Sequence, residues 1–483
     1  MNNYTFRTPP LAHQLRLYEE TRDLHAYAVF WDMGLGKTKH IIDVAGYLFC
    51  EGEIDAVLVI APNGVHANWD VPGEGLQRHM PEELLRVVGR LTWHSSKAKL
   101  ASTKQQLKVL SHSQFAWLMM AYDALITENG LITAENFLKQ RRCLLVLDES
   151  QRIKNAKAKR TKRIKKLRPH ADYVRIMTGT PAEQRPFDVY SQISFAFPHY
   201  WREQGFGAYI AFTHHLADFR KQRSPLGHEF EVQRTDSEGK PLYKNLDELS
   251  RMLKPISSRL LKDEVLDLPE KQYTRVYYEM TAQQRKLYEV LERDYVVWLN
   301  EQMPLDQLEN GVLPPMVSAD IAIVRQLRLH QLVMGYVTDD GGAVNSVVEP
   351  NPALELLAEI TEDLAHPAII WCRFRKDVEL ITHQLGSHAV RYDGTTSPED
   401  RVRAVAALQG GEKQFFVATS AAAEGITLTA ARTAIYYSND RKLGKRQQSE
   451  DRNHRIGQAH SVQYQDFVVP GTITEIILDS LMY

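Results

Sequence analysis

The sequence predicts an α/β protein of two lobes, each formed by a mostly parallel β-sheet with helices on both faces. Two observations predict this fold: apolar segments alternate with helical stretches twice along the chain, and each apolar segment ends at a polar or glycine-containing turn. The length of 483 residues and the 43% share of hydrophobic residues allow two or three domains with sizeable cores. The predicted strands are 26–31, 56–61, 143–148 and 173–178 in the first half, and 368–373, 414–419, 433–438 and 462–469 in the second half.

This alternation divides the chain into three regions. Residues 1–200 are predicted to form the first lobe, and residues 201–262 a helical insertion that includes a charged polar run at 220–240. Residues 263–483 are predicted to form the second lobe, with a helical protrusion at about 281–335.

Charge and composition argue against a membrane span and a zinc site. The 59 Lys and Arg residues balance 60 Asp and Glu residues, so any affinity for nucleic acid must come from local basic patches. Cys50, Cys143 and Cys372 lie far apart without metal-ligand spacing, and His214–His215 is expected to be an ordinary helical pair. The first residues lack the apolar segment of a secretion signal, and no run reaches the roughly 18 apolar residues of a membrane span. We therefore expect a soluble cytoplasmic protein that is not secreted, with reduced thiols and no membrane partner.

The segment WDMGLGKT, residues 31–38, predicts the first half of a nucleotide site. It joins the apolar strand AYAVF to a helix with Ile41, Ala45 and Leu48 at helical spacing. A strand, a glycine turn and a Lys-Thr pair that opens a helix are together typical of the phosphate-binding loop, or P-loop, of an NTPase.

Each residue type in this loop suits one task in binding a nucleotide. Gly34 and Gly36 let the backbone approach the phosphates, so that successive N–H groups point at the anion. Lys37 is predicted to reach the β- and γ-phosphates, and Thr38 to offer its hydroxyl to Mg²⁺. The predicted nucleotide-binding residues of the loop are Met33, Gly34, Leu35, Gly36, Lys37 and Thr38.

The segment CLLVLDES, residues 143–150, predicts the second half of the site. An apolar run that ends in two carboxylates is typical of a buried parallel strand that delivers Asp148 and Glu149 at its carboxyl end. Asp148 is predicted to hold Mg²⁺, and Glu149 to orient and deprotonate the attacking water as the catalytic base.

Further motifs extend over nearly the whole chain. PPLAHQLRLYE at 9–19 precedes the P-loop, LDESQRIKN begins at residue 147, and MTGTPAEQRPFDVYSQISFAFP begins at residue 177. The second half contributes RYDGTTSPEDR, VATSAAAEGITLTAA and QQSEDRNHRIGQAHSVQYQDFVVPGTITE. With WDMGLGKT, these segments resemble, in family order, the motifs of the Swi/Snf family of helicase superfamily two. Members of that family are ATP-driven motors with two RecA-like lobes that track along duplex DNA.

The resemblance implies further nucleotide-site residues. Gln14 would read the adenine edge, and Gly425 would couple the nucleotide to the grip on DNA. Gln448, Arg452 and Arg455 would lie on the face that opposes the P-loop. The two arginines join Lys37 and Glu149 as the predicted catalytic residues. Arginine suits this role because a guanidinium can stabilise charge on phosphoryl oxygens.

Two departures from the family pattern stand close to the nucleotide motifs. Trp-Asp at 31–32 replaces the Asp-Glu pair that precedes the family's glycines, and Ser-Gln at 150–151 replaces the usual Ala-His. Gln151 is expected to hydrogen-bond Thr178 or Thr180 through its amide. Since neither departure removes a residue that would touch phosphate or magnesium, we expect activity.

A basic stretch at 152–168, RIKNAKAKRTKRIKKLR, is the strongest local signal for nucleic acid. Its lysines could neutralise phosphates and give salt-dependent, sequence-independent affinity. An alternative stays open, in which this is a solvated helix whose Ile164 and Leu167 face the sheet. The candidate contacts in this stretch are Lys154, Lys157 and Lys162.

The resemblance implies four more nucleic-acid contacts at the strand ends of both lobes. These candidates are Asn63, Tyr122, Arg373 and Thr427.

The function predicted from these motifs is that of a monomeric, ATP- and Mg²⁺-dependent translocase on double-stranded DNA, with room for a protein targeting partner. A strand-separating DNA helicase or an RNA-directed motor is the first alternative. A nucleotide-gated DNA-binding scaffold with little turnover is an alternative of another class.

Overall fold

The computed structural model describes residues 4–63, 65–71, 73–182, 185–223, 228–237, 239–302, 316–338, 344–419 and 425–481. The chain divides into two compact units. Unit 1 comprises Met1–Gln222 and Phe230–Asp267, and unit 2 comprises Arg223–Glu229 and Leu268–Tyr483.

Unit 1 is built on a seven-stranded, fully parallel sheet. The strand order is β3-β4-β2-β5-β6-β1-β9, with β6 between β5 and β1. The strands are β1 (Ala26–Trp31), β2 (Ala56–Ala61), β3 (Val88–Trp93), β4 (Phe115–Ala121), β5 (Cys143–Asp148), β6 (Tyr173–Met177) and β9 (Ser257–Leu260). β7 (Phe219–Arg223) and β8 (Glu229–Gln233) form a separate two-stranded sheet.

Helices cover both faces of this sheet. Strands β2, β4 and β5 are buried along their full length, as expected for parallel strands that are covered on both sides. Alternate side chains of each strand therefore enter two hydrophobic cores, one on each face. The helices are α1 (Ala12–Thr21), α2 (Lys37–Cys50), α3 (Gly75–His79), α4 (Glu82–Val87), α5 (Ala101–His112), α6 (Glu128–Gln140), α7 (Lys159–Lys165), α8 (Val189–Ala196), α9 (Tyr200–Glu203), α10 (Tyr209–Leu216) and α11 (Leu246–Leu253).

Unit 2 repeats the same architecture with a six-stranded, fully parallel sheet. The strand order is β10-β17-β16-β13-β15-β14, and β11 and β12 form an antiparallel pair. The strands are β10 (Lys271–Tyr277), β11 (Tyr336–Thr338), β12 (Val344–Ser346), β13 (Ala368–Cys372), β14 (Ala389–Tyr392), β15 (Phe415–Thr419), β16 (Thr433–Tyr436) and β17 (Val462–Val468). The helices are α12 (Ala282–Gln302), α13 (Met316–Val333), α14 (Pro352–Glu362), α15 (Arg375–Leu385), α16 (Pro398–Gln409), α17 (Leu443–Glu450) and α18 (Ile473–Leu481).

The predicted fold class is confirmed, and all eight predicted strands are present to within a few residues. The sequence did not indicate β3, β4, β10, β11, β12 and β14. It predicted a helical insertion at 201–262, whereas this region contains β7, β8 and β9 as well as helices. β9 pairs with β1 as an edge strand of the first sheet, and unit 1 extends to Asp267 rather than ending at 262.

The predicted protrusion at 281–335 contains the two long helices α12 and α13, and its residues 303–315 lie outside the described part of the chain. Among the helices that the structure describes, none combines the length and the apolar composition that a bilayer crossing requires. Cys50, Cys143 and Cys372 are free thiols, and the last two are buried.

Candidate functional site

The P-loop runs from the end of β1 to the first turn of α2, and two glycines shape it. Gly34 and Gly36 have φ angles of 84° and 80°, a left-handed conformation that glycine adopts without strain. A Cβ atom at Gly36 would also lie 2.0 Å from Gln14 Nε2, so a side chain there would require Gln14 to move. Gly36 is the N-cap of α2 and has no side chain to occupy the first N–H groups of the helix. No side chain caps the first turn of α2, which is an arrangement that suits an anion.

Lys37 and Thr38 open α2 at this site. Lys37 is 9% exposed, and its Nζ donates to the carbonyl oxygens of Trp31 at 2.9 Å and Asp32 at 3.2 Å. Thr38 is half-buried in the same first turn. Two carbonyl oxygens at the start of the loop thus hold the lysine ammonium close to the loop.

Gln14, predicted to read adenine, contacts the P-loop through its side chain. It is buried in α1; its Oε1 accepts from Leu11 N at 2.9 Å and its Nε2 donates to Leu35 O at 3.0 Å. The structure therefore brings Gln14 to the nucleotide loop, and its contact with adenine stays a prediction.

Asp148 ends β5 and is buried, with 6% of its surface exposed. Its Oδ2 accepts from the indole Nε1 of Trp69 at 3.2 Å. Burial, followed by the charge of Glu149, raises the pKa of Asp148 to about 7, although Lys37 and the Trp69 hydrogen bond oppose the shift. A carboxylate pair in this environment favours a cation that would neutralise it.

Glu149 follows with a φ of 55°, an unusual value for a residue with a side chain. Its Oε2 accepts from Gln151 Nε2 at 2.9 Å and lies 3.3 Å from the donating Thr178 Oγ1. Thr178 directly follows β6, which separates β5 from β1 in the sheet. The strand order therefore explains why a hydroxyl from this turn reaches the predicted base.

The expectation that Gln151 bonds Thr178 or Thr180 is wrong, because its amide donates to Glu149 instead. Besides the Thr178 contact, Ser150 supplies a second link to the turn after β6. Its Oγ donates to Gln192 Oε1 at 2.7 Å, and Gln192 Nε2 donates to Pro181 O at 2.7 Å. Nothing in the sequence analysis singled out Gln192.

Trp31 and Asp32, which depart from the family pattern, tie the loop to the edge strand β9. The indole Nε1 of Trp31 donates to Ser258 Oγ at 2.8 Å, and Arg259 Nη1 donates to Asp32 Oδ1 at 3.1 Å. The same Nη1 lies 3.2 Å from the carbonyl oxygen of Gly179. These partners were missed because they lie 227 residues from the loop in sequence, where no local pattern connects them.

The residues present fit a nucleotide and Mg²⁺. The Thr38 hydroxyl and the Asp148 carboxylate are hard oxygen donors of the kind that Mg²⁺ prefers. A divalent cation beside Asp148 and Glu149 would offset their negative charge, which Lys37 offsets only in part.

In unit 2, the predicted arginines approach the segment that follows β15. Arg452 is 8% exposed, and its Nη1 donates to Ile426 O at 3.4 Å. Arg455 Nη1 donates to Thr427 Oγ1 at 2.9 Å. Gly425 begins this segment with a φ of 83°. The structure thus brings Gly425, Thr427 and both arginines together within unit 2.

Gln448, the remaining predicted residue of this motif, is half-buried on α17. A buried ionic cluster fixes that helix. Arg446 Nε donates to Glu450 Oε1 at 2.7 Å and its Nη2 to Asp466 Oδ2 at 3.0 Å, while Lys271 Nζ lies 3.0 Å from Glu450 Oε2. Burial alone would raise the pKa of Glu450, but Arg446 and Lys271 outweigh it and lower that pKa.

The basic stretch at 152–168 forms α7 and its flanking turns, and it has two distinct faces. Ile164 and Leu167 are fully buried in the core of unit 1, as the solvated-helix alternative requires. Lys157 and Lys162 are exposed and available to a phosphate backbone. Lys154 is half-buried and lies 3.7 Å from the buried carboxylate of Asp188. Packing and an exposed basic face therefore coexist in one segment.

The four strand-end candidates differ in accessibility. Asn63 is exposed after β2, whereas Tyr122 is 2% exposed and its hydroxyl is buried. The ring of Tyr122 packs in the core of unit 1, and a contact of Tyr122 with DNA stays a prediction. Arg373 is half-buried and lies 3.0 Å from His330 Nδ1, and Thr427 accepts from Arg455 as described.

The His214–His215 pair lies on α10, as predicted for a helical pair. Each ring faces a different carboxylate, Glu231 and Glu248, at 2.9 Å. Within the described residues, no three His, Cys, Asp or Glu side chains form a group that could hold a metal ion.

The strand order, the P-loop after β1 and the two carboxylates at the end of β5 together define a P-loop nucleotide-binding fold. Comparison with known families is more specific. The SNF2-related domain matches residues 17–319, more than half of the chain, and the helicase conserved C-terminal domain matches residues 352–460. The chain therefore belongs to the SNF2-related family, as the motifs predicted.

Three curated relatives illustrate the similarity. The chain is 24% identical to ATP-dependent helicase brm of Drosophila melanogaster, over 94% of this chain and 27% of that protein. It is 23% identical to transcription regulatory protein SNF2 of Saccharomyces cerevisiae, over 93% and 25%. It is 25% identical to an uncharacterized ATP-dependent helicase of Mycoplasma pneumoniae, over 92% and 38%. The chain thus spans well under half of the length of these relatives.

Among solved structures, the SWI2/SNF2 ATPase core of Sulfolobus solfataricus in complex with dsDNA is 22% identical. The alignment covers 100% of this chain and 92% of that chain, with a TM-score of 0.43.

The raised pKa of Asp148 predicts a pH-dependent stability. Its carboxyl group titrates near 7 in the folded protein and near 4 in the unfolded chain. Between pH 4 and 7, this carboxyl group is ionised in the unfolded chain but still largely protonated in the folded protein. Its contribution to the free energy of unfolding therefore decreases as pH rises through this range. Asp148→Asn should therefore raise the thermal unfolding temperature of the ligand-free protein by a few degrees more at pH 8 than at pH 4.

Thermal unfolding followed by circular dichroism at several pH values would measure this difference. Glu83→Gln, which removes an exposed carboxylate of α4, is the control and should show no such trend. An Asp148→Asn effect of the same size at both pH values would contradict the assigned shift.

Proposed function

We propose that this chain is an ATP-driven translocase whose ATPase activity is stimulated by duplex DNA. The observation that carries the proposal is the arrangement of Lys37, Asp148 and Glu149 at the carboxyl edge of one parallel sheet, in a chain of the SNF2-related family. The names of the relatives, ATP-dependent helicases among them, support the use of ATP.

In this proposal each polar group has one task in ATP hydrolysis. The first N–H groups of α2 and the Lys37 ammonium bind the β- and γ-phosphates, and Thr38 and Asp148 hold Mg²⁺. Mg²⁺, when bound, supplies positive charge at the phosphate oxygens. Glu149 accepts a proton from the attacking water, and its hydrogen bonds to Gln151 and Thr178 fix the carboxylate for that purpose.

The same hydrogen bonds suggest how ATP hydrolysis is coupled to movement. Thr178 joins Glu149 to the turn after β6. The neighbouring Ser150 is joined to Pro181 of the same turn through Gln192. We propose that loss of the γ-phosphate relaxes Glu149 and shifts this turn. If this shift of the turn alternated with binding and release of the DNA backbone, the protein would advance along the duplex without separating its strands.

Arg452 and Arg455 are proposed to stabilise the transferred phosphoryl group from unit 2. Both guanidinium groups bond the 426–427 segment, which suits a group that is held in place before ATP binds. A planar, permanently charged fork matches the charge that develops on the equatorial phosphoryl oxygens.

The proposed DNA-binding surface includes the exposed face of α7 with its preceding turn, around Lys157 and Lys162. Exposed lysines bind phosphates without reading base sequence, as a motor that moves along any duplex requires. Because the motifs resemble those of motors that track along duplex DNA, we propose duplex DNA as the partner here. The free cysteines are compatible with a reducing compartment, and we propose a cytoplasmic location.

Replacement of the catalytic base tests the hydrolytic step. Glu149→Gln should lower kcat by about 10²–10⁴-fold in saturating duplex DNA, because the amide cannot accept the proton, while ATP affinity is retained. Steady-state ATPase rates and equilibrium nucleotide binding would measure the two effects. Glu51→Gln, an exposed carboxylate just after α2, is the matched control. A parental rate in Glu149→Gln would refute its assignment as the base.

Replacement of Arg455 tests the role of unit 2 in catalysis. Arg455→Ala should lower kcat by about 10³–10⁵-fold and change ATP affinity much less, because the charge that it stabilises develops in the transition state. Arg455→Lys should not restore the rate, since an ammonium lacks the planar fork. Arg441→Ala, at an exposed arginine of the same unit, should leave kcat unchanged. Near-normal kcat in Arg455→Ala would show that the residue has only a structural role.

Substitution of the two exposed lysines tests the DNA surface. The double variant Lys157→Gln and Lys162→Gln should bind all duplex sequences more weakly and lower the slope of log Kd against log salt by about 2. Lys104→Gln with Lys108→Gln, at exposed positions of α5, removes the same charge from another helix of unit 1. Fluorescence anisotropy over a salt series would compare the pairs, and equal slopes for both would rule out α7 as the DNA surface.

A further inference from the structure

Trp69 lies against the predicted metal ligand, although no motif assigned it a function. It belongs to the 3₁₀ segment Val65–Asp70 that follows β2, and only 1% of its surface is exposed. Its indole Nε1 donates to Asp148 Oδ2 at 3.2 Å. A buried indole thus brings its one polar atom to the carboxylate at the end of β5.

The segment that carries Trp69 is held in place from both sides. Asp70 Oδ1 accepts from Arg90 Nη1 at 2.7 Å and from Gln77 Nε2 at 3.2 Å. Gly75, with a φ of 50°, lets the next helix approach so closely that a Cβ atom there would lie 2.2 Å from the carbonyl oxygen of Trp69. These contacts hold the backbone that carries the indole, and none of them involves Asp148.

A hydrogen bond of this kind restricts what the Asp148 carboxylate can do. With Oδ2 tied to a fixed donor, the carboxyl group keeps one orientation at the end of β5. Groups that orient a metal-binding carboxylate in this way commonly change metal affinity about 10- to 100-fold when they are removed.

We propose that Trp69 is a positioning residue for Mg²⁺-dependent nucleotide binding, acting through its hydrogen bond to Asp148. This inference rests on the proposed nucleotide site. In this proposal Trp69, from the segment after β2, acts together with the P-loop and sets the affinity for the metal–nucleotide complex.

Trp117 offers a matched comparison in the same core. It lies on β4, is fully buried, and its ring centre is 6.2 Å from that of Trp69. Its Nε1 has no hydrogen-bond partner among the described residues. Replacement of either tryptophan by phenylalanine removes similar ring volume, but only the change at Trp69 removes a donor from Asp148.

The experiment compares ADP binding by calorimetry with excess Mg²⁺ and with EDTA, in the parent protein, Trp69→Phe and Trp117→Phe. Trp69→Phe should reduce the Mg²⁺-dependent gain in affinity by about 10- to 100-fold and leave the affinity in EDTA unchanged. Trp117→Phe should keep the parental gain. Thermal unfolding midpoints of both variants would report any shared loss of packing. An unchanged gain in Trp69→Phe, or an equal loss in both variants, would overturn the inference.

A double-mutant cycle tests whether the effect passes through Asp148. In an Asp148→Asn background, Trp69→Phe should cause no further loss of the Mg²⁺-dependent gain. A further loss of the same size would show that Trp69 acts by another route and would overturn the inference. A parent protein that gains no affinity from Mg²⁺ would contradict the proposed nucleotide site itself, and the inference with it.

Discussion

The two carboxylates at the end of β5 impose the constraint on which the rest of the nucleotide site depends. Asp148 is buried and the half-buried Glu149 lies beside it with a like charge, which is unfavourable unless cations and hydrogen-bond donors compensate. The fold supplies an ammonium from the P-loop, an indole from the segment after β2 and a hydroxyl from the turn after β6. Because these elements follow different strands of one parallel sheet, the strand order itself brings the compensating groups to a single edge.

Unit 2 meets a similar constraint in a different way. The motif with the catalytic arginine candidates depends on α17, and that helix is anchored by a buried guanidinium between two carboxylates, Glu450 and Asp466. Breaking a buried pair of this kind by removing one partner is costly, so the cluster favours a single arrangement of the helix. Arg452 and Arg455 then reach the segment after β15 from a rigid base. In both units, the partners of buried charged groups fix the elements that carry the predicted site residues.

The sequence predicted the fold class, the P-loop and the carboxylate pair because each is a local pattern of strand, turn and residue type. It missed β9 and the contacts of Arg259, since the pairing with β1 joins residues more than two hundred positions apart. It assigned Gln151 to the wrong partner because the left-handed backbone at Glu149 turns the glutamate side chain toward that amide. Tyr122 was named as a nucleic-acid contact by resemblance to the family, and a sequence does not show that its ring packs in the core of unit 1. The contact of Trp69 with Asp148 could not be predicted, because a tryptophan in a sequence does not show where its N–H points.

In the proposed function, contact with duplex DNA stimulates ATP hydrolysis at this site. The most direct measurement is the steady-state ATPase rate of the whole chain against equal concentrations of duplex DNA, single-stranded DNA and RNA, each over a salt series. The account predicts that duplex DNA stimulates the rate most, with a stimulation that falls steeply as salt increases. An ATPase rate that is indifferent to nucleic acid, or stimulated chiefly by single strands or RNA, would contradict it.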